Sequence, residues 1–67
     1  MINVNALKGL IVAHGMTQQD VAHIIGISPK TFYYKMKKGV FGSDEIEKMI
    51  VALSIEHPEK IFFLQVM

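Results

Sequence analysis

The sequence predicts an all-α fold, a compact bundle of five short helices, and three observations carry that prediction. Apolar residues recur at helical spacing in successive stretches of the chain. Residues that start helices (Thr17, Ser28, Ser43) and glycines that stop them (Gly15, Gly26) punctuate those stretches at short intervals. Hydrophobic residues make up 51% of the 67, ample for the interior of a small helical domain.

The first helix is expected from about Asn3 or Asn5 to His14, with Val4, Leu7, Leu10 and Ile11 on one face and Gly15 as its stop. Thr17 then caps a second helix, Asp20 closes a capping box three residues later, and Val21, Ala22 and Ile25 supply the apolar face. Gly26 ends it. Lacking Cβ, this residue enters the left-handed conformation at little cost, so Gly26-Ile27 turns the chain sharply. Ser28 and Pro29 restart a helix as N-cap and first residue, and it runs to Lys38. Residues Gly39-Val40-Phe41-Gly42 form a loop, after which Ser43 caps a fourth helix whose first turn carries Asp44 and Glu45. Its buried stripe is Ile46, Met49, Ile50 and Leu53. A fifth helix starts at Pro58 and continues through the apolar tail IFFLQVM, for which a strand is the rival reading, since Phe and Val also favour sheets.

The pair of helices over residues 17–38, joined by a three-residue turn, has the layout of a DNA-reading helix-turn-helix. A net charge of +1 would not by itself suggest a nucleic-acid partner. The distribution of charge does. Lys30, Lys35, Lys37 and Lys38 lie within nine residues with no acid among them, whereas five of the six acids follow the motif. A basic face beside an acidic remainder favours oriented docking on phosphate, although lysines at a helix end also complement the helix dipole.

The motif resembles the XRE family of phage and bacterial helix-turn-helix regulators, the class that includes the lambdoid repressor and Cro proteins. The family's glutamine at the start of the first motif helix falls on Gln18, its small buried residue on Ala22, its turn glycine on Gly26 and its buried apolar residue in the recognition helix on Phe32. A second apolar residue usually follows three positions later, where this chain has Lys35, so Met36 is expected to do that packing and the recognition helix to be about one residue longer. The segment from Thr31 to Phe63 is also similar to short Cro-type or repressor-type proteins of phages and prophages from low-GC Gram-positive bacteria. The resemblance implies a single domain of the lambda-repressor-like type, acting as a transcriptional regulator on a roughly palindromic double-stranded operator, in a bacterial cytoplasm at the nucleoid. Shortness favours a Cro-like protein, with the chain either a complete small gene product or an isolated N-terminal domain.

On a helical wheel of the third helix, Phe32 and Met36 point inward, and the opposite arc holds Lys30, Tyr34 and Lys37, with Thr31 and Lys38 on its flank. That arc is the one expected in the major groove. Lys30 and Tyr34 lie nearest the groove floor, where each would donate to an acceptor such as guanine O6 or N7; Lys37 and Lys38 are expected on phosphates. Tyr33, at the edge of the apolar arc, reads as a packing residue. Pro29 has nothing to donate. The chain contains no arginine, so phosphate contacts and DNA shape must supply much of the affinity. The resemblance puts Gln18 on a phosphate; Gln19 reads as a solvated amide. Gly39 and Gly42 either bring backbone N–H groups to the next phosphate or form a plain loop.

Other chemistries find little here. Ser28 and Ser43 are explained as caps, and His14, His23 and His57 have no metal-ligand spacing, so neither a catalytic site, a metal nor a cofactor is expected. Cysteine is absent, which suits a reducing compartment. No apolar run approaches the ~20 residues of a membrane span, the start of the chain lacks a signal peptide's features, and no small-molecule ligand is evident. Only Gln65 is polar between Ile61 and Met67, more apolar surface than so small a core covers. A homodimer is expected to bury the surplus, with Phe62, Phe63, Leu64 and Val66 as the interface set, Phe63 at the contact and Phe62 turned more to the inside; closure over the first and fourth helices of a monomer is the alternative. A second class of function is a protein-binding module, an antitoxin or a modulator of another repressor, built on the same fold.

Overall fold

A computed structural model describes residues 2–62. Within them the chain forms α1 (Val4–Ala13), α2 (Gln18–Ile25), α3 (Pro29–Lys38), α4 (Ser43–Ala52) and α5 (Pro58–Phe62), and no strand. The all-α bundle is as the sequence predicts.

Local chemistry sets most of the helix ends. Asn3 caps α1 by accepting the Ala6 N–H on Oδ1 at 3.1 Å. Thr17 and Asp20 form the reciprocal box at the start of α2, the Thr17 hydroxyl accepting from Asp20 N–H at 3.1 Å and the Asp20 carboxylate from Thr17 N–H at 2.9 Å. Gly26, at φ +83°, and Gly39, at φ +72°, terminate α2 and α3 in the left-handed conformation. In both cases the next amide reaches back to a carbonyl five residues earlier, Ile27 to Ala22 at 3.0 Å and Val40 to Lys35 at 3.1 Å, which closes a Schellman motif. The same pair of bonds ends α4, but there the left-handed residue is Ser54, at φ +49°.

One boundary differs from the expectation. The residue that precedes α4 is Gly42, and Ser43 is its first helical residue. Glu45 marks that boundary: three residues on, its carboxylate reaches back and accepts the Gly42 N–H at 2.8 Å, as the acid of a capping box does at the residue before a helix.

The core is built around α2, which packs on α3 and α4, while α1 bridges α2 and α5. Leu7, Val21, Phe32, Met49 and Leu53 are fully buried, each burial stabilising the fold by about 1.5–3 kcal/mol. Ile46 and Ile50, expected in the buried stripe of α4, are half-buried at its edge. Near the chain's start, Asn3 N–H donates to the Ile61 carbonyl at 2.7 Å and ties α1 to α5. Phe62 lies inside the domain at 2% exposure, so the protomer itself absorbs the first phenylalanine of the tail. Phe63, Leu64 and Val66, and with them the choice between helix and strand for the last residues, lie outside the described residues. No polar side chain is buried among the described residues.

Candidate nucleic-acid interface

The orientation of α3 follows from two side chains. Phe32 and Met36 are buried, and the Phe32 ring meets that of Phe41 from the following loop at a centroid distance of 5.4 Å and a tilt of 52°. Met36 thus does the packing expected of it in place of Lys35. With that face inward, the side chains at 30, 34 and 37, spaced by four and three residues, fall on the exposed side. Tyr34 is 60% exposed and carries the Lys38 ammonium 5.4 Å from its ring centroid, a cation–π contact worth about 0.5–1 kcal/mol at such a site. Thr31 is exposed as well. Ser28 Oγ accepts the Thr31 N–H at 3.1 Å and lies 2.9 Å from Thr31 Oγ1, so the two hydroxyls are hydrogen-bonded to each other at the start of α3.

Lys35 leaves the basic cluster. Its ammonium binds the Glu45 carboxylate at 2.6 Å, partly buried between α3 and the start of α4. Partial burial pushes the Glu45 carboxyl up, but the Lys35 hydrogen bond, the Gly42 N–H and the charges of Lys35 and Lys48 together outweigh it and hold the group below its ordinary value. Lys35 therefore welds α3 to α4, a role hidden in the sequence because its partner lies ten residues away. The same carboxylate occupies the Gly42 N–H, and the Gly39 N–H is bonded to the Lys35 carbonyl at 2.8 Å. Neither amide is free for a phosphate, so the plain-loop reading of Gly39 and Gly42 holds.

Gln18, expected at an exposed helix start, is half-buried, and Gln19 is exposed. Gln18 lines an open cleft together with Val4 and Lys8 of α1 and Tyr33, Met36 and Lys37 of α3. The structure thereby joins Gln18 to Lys37 and adds Lys8, which sequence reasoning missed. Lys8 sits on a helix outside the motif, and only tertiary packing brings it beside α3. Tyr33, read as a packing residue, is 50% exposed on the rim of that cleft.

The histidines are dispersed. His14 Nδ1 lies 2.9 Å from the Leu10 carbonyl, His57 Nδ1 lies 3.5 Å from the Glu59 carboxylate, and His23 is exposed on α2. Among the described residues no three of His, Cys, Asp or Glu come together as a metal site, and no helix is long and apolar enough to cross a membrane. Hydrophobic side chains are also left on the surface, Ile24 of α2 and Val51 of α4 beside one another at 47% and 80% exposure.

A model of the antitoxin Xre-like helix-turn-helix domain matches residues 6–50, a stretch that takes in the whole of α2 and α3 and most of α1 and α4. Comparison with curated proteins and with solved structures found no match.

Proposed function

The chain belongs to the antitoxin Xre-like helix-turn-helix domain family, and on that premise we propose that it is a sequence-specific regulator of transcription which binds a palindromic DNA operator as a homodimer, in the manner of a phage or prophage Cro-like repressor. The observation that carries the reading is the exposed arc of α3. Lys30, Tyr34 and Lys37 stand on one side of a helix whose other side is locked by Phe32 and Met36, with no carboxylate paired to either lysine among the described residues. A helix of this size fits the major groove, where Lys30 and Tyr34 reach base edges while Thr31, Lys37, Lys38 and Gln18 meet phosphates. Selection of bound sequences from a random DNA pool tests it. The expected result is two inverted half-sites about one helical turn apart. A pool that shows no enrichment would overturn it.

A second reading is favoured by the family description and by the Ile24–Val51 surface: an antitoxin that holds a partner protein on the side formed by α2 and α4. A gel shift against the DNA upstream of its own gene separates the two. A pure protein-binding module leaves that DNA unshifted.

A further inference from the structure

We propose that the cleft between α1 and α3 seats one backbone phosphate of the DNA, and that Lys8 and Tyr33 complete the seat. The inference rests on the DNA-binding reading above and extends it by two residues outside the groove-facing arc.

Val4 and Met36 supply the apolar part of the cleft, and Lys8, Gln18, Tyr33 and Lys37 the polar part. The polar groups share one property: each has a proton to donate, as ammonium, carboxamide or phenol. None of the lining residues is acidic, and among the described residues neither Lys8 nor Lys37 has a carboxylate partner. Two like charges on one small cleft repel each other, and a monoanion placed between them turns that repulsion into attraction, the more so beside low-dielectric side chains. A phosphodiester has that charge and an array of acceptor oxygens.

Position distinguishes a phosphate from a base edge. Lys37 belongs both to the arc of Lys30 and Tyr34 and to the cleft, so an anion in the cleft lies beside the groove-facing side chains, where the sugar-phosphate strand bordering a major groove runs. The charge count agrees. Lys35 is held by Glu45, and Lys48 and Lys60 sit on α4 and α5, so the interface keeps Lys30, Lys37 and Lys38 from the motif. Lys8 restores the fourth cation.

Fluorescence anisotropy with a mixed-sequence duplex of about two helical turns, titrated across potassium chloride concentrations, tests the seat on the full chain. Lys8→Gln is expected to lessen the slope of log affinity against log salt by about 0.9 per bound protomer. Lys8→Arg keeps the parent slope, and Lys60→Gln, on α5, changes nothing. Tyr33→Phe weakens binding several-fold at an unchanged slope, because it removes a neutral donor. Circular dichroism confirms that each variant is folded; if Lys8→Gln is not, Lys8→Ala takes its place. A parent that binds while its slope ignores Lys8, or a Lys60→Gln effect as large as that of Lys8→Gln, overturns the seat alone. Unchanged affinity for Tyr33→Phe removes the tyrosine from it. A parent that binds no duplex at any salt concentration overturns the DNA reading and the seat together.

Discussion

Tyr34 illustrates how much one side chain on α3 is asked to do. Its ring supports the Lys38 ammonium, and its hydroxyl faces solvent on the arc shared with Lys30. Those two contributions separate under substitution: Tyr34→Phe keeps the ring, the cation–π contact and the fold, and removes only the hydroxyl. If that hydroxyl reads a base, operator affinity falls by about 1–3 kcal/mol while affinity for random DNA holds. Lys30→Ala is expected to fall in the same range on the operator. It should also lose some random-DNA affinity, since an ammonium acts at longer range than a hydroxyl. Equilibrium binding of both variants at one salt concentration checks this, and unchanged operator affinity for the pair would remove α3 from the groove. The chain has no arginine, so on the proposed reading the guanidinium fork to guanine is missing and single donors of this kind would divide the work of discrimination.

Between residue and molecule, the ends of the helices govern how the recognition helix is held. Glu45 joins three parts: the Lys35 ammonium of α3, the Gly42 N–H of the loop and the first turn of α4. Because its folded-state carboxyl titrates below the ordinary value, the stability it contributes is complete above the ordinary carboxylate range and is lost as pH falls through the folded-state value. Glu45→Gln is therefore expected to lower stability by about 1–2 kcal/mol near neutral pH. In urea denaturation the gap to the parent should close as the solution is made acidic; a gap that persists at acid pH would place the effect in packing. Ser54 offers the opposite sign. Its left-handed backbone at the end of α4 costs a side-chain-bearing residue about 1–2 kcal/mol, so Ser54→Gly should raise the urea midpoint even after the glycine's extra unfolded-state freedom is subtracted, a net gain of about 0.5 kcal/mol. These ends also show what was legible. The caps of α2 and α3 could be read because Thr17, Asp20, Gly26, Ser28 and Pro29 act within a few residues of themselves. The start of α4 slid by one residue because the Glu45 carboxylate closes back on the Gly42 N–H, so the residue before the helix is a glycine with no hydroxyl to announce it, and the end of α4 carried no glycine. The roles of Lys35 and Lys8 depend on elements brought together by packing, which spacing along a chain does not encode.

At the scale of the whole molecule, the chain presents one α3, and the palindromic operator proposed for it would present two half-sites. Their spacing, about 34 Å for adjacent turns of the duplex, would require a second copy related by a two-fold axis. The domain closes part of its own apolar tail, since Ile61 and Phe62 are both buried and the Ile61 carbonyl is tied to Asn3 N–H at the start of α1. That narrows the proposed interface: Phe62 fills the protomer, which leaves Phe63, Leu64 and Val66 as the residues to test. Phe63→Glu is the substitution to make, because a charge at a buried apolar contact must be desolvated without a partner, whereas the same charge on a free surface costs little. Sedimentation of the parent is expected to show a dimer and that of Phe63→Glu a monomer with unchanged helical content. On DNA, the variant should lose affinity for the paired operator and retain the parent's affinity for a single half-site, because avidity depends on linking two reading heads and not on either head alone. A variant that dimerises as well as the parent, or a parent that stays monomeric at every accessible concentration, would move the two-fold axis away from the tail. The exposed Ile24–Val51 surface would then be the next apolar contact to disrupt.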